Sequence, residues 1–219
     1  MCPSEPFVPR DDGQSPDGWR ALFAGGSPRA ILARLCEGDP LEIGPRCDEA
    51  LAEAAYLLAH RKVIGRALAR IAHAAPKYNG RRPLGEFLQK RIEASIEELV
   101  DEEQQELWLA GPVDLAEYDP YPLVARRLGV ELREARVACS VVNRQPVESR
   151  KAFIALVIEG RSLAACARAG VGSPDDLLAR VEQGLRAISN TLGRKVDWPL
   201  GGASDERKEG GADHDPVDH

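Results

Sequence analysis

Histidine and carboxylate side chains are the groups through which this chain could carry out acid–base or metal chemistry. His60 and His73 are thirteen residues apart, and neither has an acidic neighbour in the sequence. His214 and His219 lie in an acidic C-terminal stretch, where weak capture of a metal ion is the less favoured alternative to solvated side chains. The sequence has no Gly-x-Ser-x-Gly nucleophile motif, no phosphate-binding glycine loop and no His-Glu-x-x-His pair. We therefore expect a protein that is not an enzyme and uses no cofactor and no metal.

The five cysteines, at positions 2, 36, 47, 139 and 166, are odd in number and widely spaced. No two of them form a Cys-x-x-Cys pair, which argues against both a zinc site and a disulfide framework. Cys139 and Cys166 fall on apolar helical stripes. We predict that both are small buried hydrophobic side chains.

Composition favours helices. Of the 219 residues, 43% are apolar and only 5% aromatic. Abundant Ala, Leu, Glu and Arg favour helices over sheets, which are rich in β-branched and aromatic residues. We predict an all-α protein of two small helical domains. The net charge of −6 argues against nucleic-acid binding over the whole surface but leaves room for a local basic face.

The N-terminal residues 1–17 contain prolines and acids and lack the charged-then-apolar pattern of a secretory signal. No apolar run in the chain approaches the roughly 18 residues that a membrane span requires. We therefore expect a cytoplasmic protein with no membrane partner.

Charged residues are segregated along the first half of the chain. Residues 60–92 contain nine Lys and Arg against the single Glu86, and residues 93–106 contain seven acids and no base. The favoured interpretation is a pair of solvated helix faces that neutralise one another. The alternative is a basic patch that faces a polyanion, with Tyr78 and Phe87 as stacking side chains. For these two rings themselves, the favoured interpretation is that they are core anchors.

Helix-start and helix-stop signals divide the chain. Ser27-Pro28 is typical of an N-cap, and the stretch from Pro45 to Ala75 predicts two helices that meet near His60 or Gly65. Prolines between Gly111 and Pro122 interrupt helical continuity. The predicted organisation is a flexible N-terminus (1–26), an N-terminal helical domain (27–110), a linker (111–122), a C-terminal helix-turn-helix domain (123–196) and a disordered acidic tail (197–219).

The most informative motif lies near the C-terminus. Ser162 can cap a short helix, a turn follows at Gly170-Val171-Gly172, and Ser173-Pro174 begins a longer helix. Apolar residues at helical spacing line that longer helix: Leu177, Val181, Leu185, Ile188 and Leu192. Two helices around a glycine turn indicate a helix-turn-helix, although a helical hairpin in any small bundle has a similar pattern.

Two segments carry a resemblance to a known family. Pro146 to Phe153, then Glu159-Gly160-Arg161-Ser162-Leu163, and the helix from Ser173 to Ile188 resemble region 4 of RNA polymerase sigma factors of the extracytoplasmic-function type. The stretch Tyr78-Asn79-Gly80, followed by Leu84 to Leu88, is similar to their region 2. In this resemblance, residues 173–188 occupy the place of the recognition helix.

The resemblance implies a transcription initiation protein that binds the RNA polymerase core and promoter DNA, with a regulatory protein as a further partner. The residues that it implies for DNA binding are Ser173, Arg180, Gln183, Arg186, Arg81 and Arg82. Solvated arginines on an exposed face are the alternative for Arg180 and Arg186. The alternative function is a helical protein-interaction module that keeps the sigma-like architecture but has lost DNA readout.

Overall fold

The computed structural model describes residues 18, 19, 23, 25–106, 120–196 and 198. Every regular element in this part of the chain is a helix, which confirms the predicted all-α class. The chain forms two compact units that divide between Pro120 and Tyr121. Each unit buries its own set of apolar side chains.

The first unit has four α-helices among its described residues. They are α1 (Pro28–Cys36), α2 (Ile43–Ala54), α3 (His60–Ala74) and α4 (Leu84–Glu106), with a 3₁₀ turn (Ala75–Lys77) after α3. The predicted cap of α1 is confirmed, since Ser27 Oγ accepts a hydrogen bond from Ala30 N at 3.3 Å. The predicted meeting of two helices near His60 is also confirmed, whereas Gly65 lies inside α3.

Aromatic side chains from distant parts of the sequence meet in the core of the first unit. Trp19 is 4% exposed and Phe23 is 0% exposed. The Phe23 ring centroid lies 5.9 Å from that of Tyr78 and 6.2 Å from that of Phe87. The prediction of a flexible N-terminus over residues 1–26 is therefore wrong at Trp19 and Phe23, because burial of these two rings stabilises their positions.

The second unit contains a longer series of short helices. They are α5 (Tyr121–Leu128), α6 (Leu132–Asn143), α7 (Val147–Phe153), a π-helical segment (Ile154–Ile158), α8 (Leu163–Arg168) and α9 (Pro174–Leu192). The two predicted serine caps are confirmed. Ser162 Oγ accepts a hydrogen bond from Ala165 N and Ser173 Oγ accepts one from Asp176 N, both at 3.2 Å.

The predicted segments around the two units are only partly described. The predicted linker, 111–122, contains the division between the units, but its last two residues belong to α5, where Tyr121 is 1% exposed. Residues 111–119 lie outside the described residues. Of the predicted disordered tail, 197–219, only Trp198 lies within them.

The described cysteines are all free thiols. Cys139 and Cys166 are 2% and 0% exposed, which confirms their prediction as small buried hydrophobic side chains. Cys47 is buried as well, and its burial, together with Asp48 and Asp39, raises the pKa of its thiol to about 12. Cys36 is exposed at the end of α1.

Candidate nucleic-acid interface

Helix α9 has one buried face and one face toward solvent. Leu177, Val181 and Ile188 are at most 1% exposed, as the predicted apolar stripe requires, whereas Leu185 and Leu192 are only partly buried. The exposed face is polar and carries Asp175, Glu182, Gln183, Arg186 and Asn190. The core thus orients α9 so that a row of polar side chains points outward.

Gly184 lies where α9 packs on α7. It lies on the buried face, and a Cβ atom at this position would stand 3.6 Å from Cδ2 of Phe153. Phe153 is itself 2% exposed. Sequence reasoning did not identify this contact with Phe153, although a glycine inside a strong helical pattern is one signal of a packing position.

The four residues predicted to bind DNA from α9 differ in their surroundings. Ser173 belongs to the helix start, because its hydroxyl accepts a hydrogen bond from Asp176 N and donates one to Asp176 Oδ2 at 2.7 Å. Arg180 is half-buried, with Nη1 4.0 Å from Glu148 Oε2. Gln183 and Arg186 are exposed and share the outer face, being three residues apart.

The connection from α8 to α9 is a tight glycine turn. Gly170 takes a φ of +74° and donates a hydrogen bond to Ala167 O at 3.1 Å. Val171 N donates to Cys166 O, also at 3.1 Å. Together these two bonds form a Schellman motif, which satisfies the last carbonyls of α8 and requires a residue that tolerates positive φ.

Residues 121–196 of the second unit carry an excess of positive charge. Residues 121–196 contain 13 Lys and Arg against 7 Asp and Glu, a net charge of +6 in a chain whose total is −6. Five arginines there are exposed and make no ion pair within the described residues: Arg126, Arg133, Arg144, Arg168 and Arg186. Sequence reasoning missed this block because it weighed the net charge of the whole chain; a count by domain is the signal that finds it.

Arg81 and Arg82, the other two residues predicted to bind DNA, lie in the first unit. They occupy the loop between the 3₁₀ turn and α4, and both are exposed. Tyr78 Oη donates to Arg82 O at 2.8 Å, and Arg81 N donates to Asn79 Oδ1 at 3.1 Å. These bonds fix the loop backbone while neither guanidinium has an ion-pair partner among the described residues.

The basic side chains of α3 are paired with acids on α4. Arg66 forms hydrogen bonds of 2.7 and 2.8 Å with the two carboxylate oxygens of Glu102. The other two pairs join Lys62 to Glu103, at 2.9 Å, and Arg70 to Glu98. We name these three pairs the charge ladder. It agrees with the favoured interpretation of neutralising helix faces, except that Glu103 is 5% exposed rather than solvated.

The charge ladder also changes the electrostatics of its members. The hydrogen bond from Arg70 and the nearby charge of Arg66 lower the pKa of the Glu98 carboxyl. Tyr78 is 8% exposed and Phe87 packs against the core, so neither ring stands open on a basic surface. The alternative of a stacking surface along α3 therefore has no support from the described residues.

Among the described residues, no group of three or more His, Cys, Asp or Glu side chains could hold a metal ion. None of the described helices combines the length and the apolar character that a membrane crossing needs. No protein-family model matches this chain, and no curated protein or solved structure is significantly similar to it.

Proposed function

We propose that this protein is a sigma-factor-like transcription initiation protein that binds the RNA polymerase core and promoter DNA. The observation that carries the proposal is the coincidence of two features in the second unit. The net charge of +6 over residues 121–196 suits contact with phosphates, and α8, the Gly170 turn and α9 suit a helix-turn-helix. The proposal implies a cytoplasmic location and no enzymatic step.

In this function α9 would enter the major groove with its polar outer face. Arg186 can donate two hydrogen bonds to a guanine edge, and Gln183 can pair with an adenine edge. Arg180 would exchange its 4.0 Å contact with Glu148 for a phosphate or a base. The exposed arginines outside α9 would supply attraction to phosphates that does not depend on sequence.

The first unit would contribute through its exposed loop. Arg81 and Arg82 stand on a backbone held by Tyr78 and Asn79, so their side chains can contact phosphates without refolding of the loop. The charge ladder would keep α3 and α4 together and would take no part in the promoter contact.

A second function is favoured by the acids on α9. Asp175, Asp176 and Glu182 are exposed and would repel phosphates in the groove. The first two also stabilise the positive end of the helix, so their presence has a structural reason as well. This alternative is a helical protein-interaction module with sigma-like architecture that contacts proteins and no longer reads DNA.

Promoter binding and polymerase capture on the same preparation test both functions. We expect the protein to capture core polymerase and the complex to shift a subset of a promoter library. Capture without any promoter shift would reject initiation and favour the interaction module. Failure to capture polymerase would reject both sigma-derived functions.

A further inference from the structure

The charge ladder between α3 and α4 ends at a position where both helices have a basic side chain. Lys62, Arg66 and Arg70 each face an acid on α4. His73 lies one turn beyond Arg70 on α3. Arg91 of α4 lines the same depression as His73. Arg91 makes no ion pair within the described residues, so the alternation of charge stops at this position.

A depression of about 340 Å³ lies at this end of the charge ladder. Its walls carry three guanidinium groups and one carboxylate, and the lining side chains are those of Arg66, Arg70, His73, Arg91, Glu98 and the small Ala69 and Ala74. Within the described residues this is a concave surface with an excess of positive charge.

Arg91 has hydrogen-bonding capacity that the first unit does not use. Its guanidinium carbon lies 5.3 Å from the centroid of the Phe87 ring, a cation–π contact that orients the side chain. Its Nε is buried and has no hydrogen-bond partner in the described part of the chain. A buried donor without an acceptor costs free energy, and a small reorientation of the guanidinium toward a bound anion would recover it.

We propose that this depression binds a terminal phosphate group, with Arg91 as the main donor, the Glu98-paired Arg70 beside it and His73 at the rim. A guanidinium binds phosphate oxygens through paired charged hydrogen bonds. A terminal phosphate carries close to two charges and three free oxygens, and it therefore matches several separate donors better than a phosphodiester does. The group could belong to inorganic phosphate, a phosphorylated metabolite or the end of a nucleic acid.

Glu98 is the carboxylate that opposes an anion in this depression. Arg66 and Arg70 both contact it, Arg66 at 3.2 Å, so that part of its charge is already neutralised. Glu98→Gln keeps the shape of the side chain and removes the charge. It should therefore strengthen phosphate binding, whereas loss of Arg91 should weaken it.

Isothermal titration calorimetry of the full chain with inorganic phosphate, at fixed ionic strength, tests the proposal. We expect Arg91→Ala to weaken phosphate binding by roughly 10- to 100-fold, as loss of charged hydrogen bonds does. Lys90→Ala is the matched control, because it removes the same charge from the neighbouring exposed position, which lines a different surface. If Arg91→Ala does not fold, Arg91→Gln keeps the length of the side chain and takes its place.

A second titration identifies the source of the phosphate. An oligonucleotide with a 5′-phosphate is compared with the same oligonucleotide ending in a 5′-hydroxyl. A preference for the phosphorylated end that disappears in Arg91→Ala supports a nucleic-acid end, and inorganic phosphate binding without that preference supports a small phosphate compound. The proposal is overturned if phosphate does not bind, if Arg91→Ala and Lys90→Ala behave alike, or if Arg91→Ala weakens both oligonucleotides equally.

Discussion

The α3–α4 helix pair and helix α9 use arginine in opposite ways. Arg66 lies within hydrogen-bond distance of two carboxylates on α4. On α9, Arg180 has a carboxylate only at 4.0 Å, and Arg186 makes no ion pair among the described residues. The basic members of the charge ladder thus hold α3 and α4 together, whereas the two arginines of α9 remain available to a partner.

The comparison teaches that a run of cations in a sequence is a weak indicator of a binding surface. An arginine in the charge ladder must lose its partner before it can bind a phosphate, which offsets most of the gain. An arginine such as Arg186 has no such cost. The acidic stretch 93–106 that follows the basic stretch is the feature that distinguishes the two cases in the sequence.

The largest effect that we expect concerns the core beneath α9. Phe153→Ala removes a ring that is 2% exposed and lies against Gly184, at a cost of roughly 3 to 5 kcal/mol. Because a whole domain has only about 5 to 15 kcal/mol of stability, α9 should lose its ordered support. Thermal unfolding followed by circular dichroism measures the loss.

Phe87→Ala is the control for the Phe153 variant, since Phe87 is an only partly buried ring of the first unit. It should destabilise the protein less, because less apolar area leaves the core. If Phe153→Ala melts at the same temperature as the parent, the assigned buried face of α9 is wrong, and with it the exposure of Arg186.

The next effect concerns promoter binding by the polymerase complex. Arg186→Ala and Arg180→Ala should each weaken it by about 1 to 3 kcal/mol if the side chain contacts a base, and by less if it contacts only a phosphate. A shallower dependence on salt would identify a phosphate contact. Titration of labelled promoter DNA at several salt concentrations measures both quantities.

Arg29→Ala is the matched variant for these two arginines, because Arg29 is also exposed but lies on α1. It should leave promoter binding unchanged. None of the three substitutions should alter the melting temperature, since none removes a core side chain. If all three variants lost promoter binding equally, binding would depend on net charge alone, and α9 would have no special role.

Local signals predicted the helices well because they act over a few residues. The serine caps at Ser27, Ser162 and Ser173, and the apolar stripe of α9, are contained in short stretches of sequence. Burial of Phe23 depends on Tyr78 and Phe87, more than fifty residues away, and Trp19 packs in turn on Phe23, so no local pattern indicates it.

The candidate site was only partly predictable for a similar reason. The polar positions of α9 follow from helical periodicity, and Gln183 and Arg186 accordingly lie on its outer face. Pairing of Arg180 toward Glu148 depends on how α7 packs against α9, which the sequence does not specify. The unpartnered Nε of Arg91 depends likewise on how α3 crosses α4.

A smaller effect should separate the paired from the unpaired arginines. A double-mutant cycle on Arg66 and Glu102 should give a coupling of about 0.5 to 1 kcal/mol in the free energy of unfolding, because both side chains are about one-third exposed. The same cycle on Arg180 and Glu148, which are 4.0 Å apart, should give a coupling near zero. Urea unfolding at low salt measures both cycles, and equal couplings would remove the contrast between the two regions.

The smallest effect that we expect appears only in acid, at a pair that joins α9 to α6. Arg194 donates hydrogen bonds of 2.8 and 2.5 Å to the Glu134 carboxylate. These bonds, with the Glu131 backbone N–H, lower the pKa of Glu134 from 4.5 to about 2. A carboxyl whose pKa is lower in the folded state stabilises the fold above its unfolded pKa, and this contribution is lost as the pH falls from about 4.5 to about 2.

Carbon-detected NMR titration of the Glu134 carboxyl measures this shift directly. Arg194→Ala should return the pKa of Glu134 toward its ordinary value, and the stability of this variant should change less than that of the parent between pH 4.5 and pH 2. Arg194→Lys keeps the charge but loses the paired guanidinium bonds, so its Glu134 pKa should lie between the two. A parent Glu134 that titrates at its ordinary pKa would mean that the Arg194 pair does not form in solution. The segment after α9 would then lose its tie to α6, which would leave the end of the helix less rigidly placed for DNA.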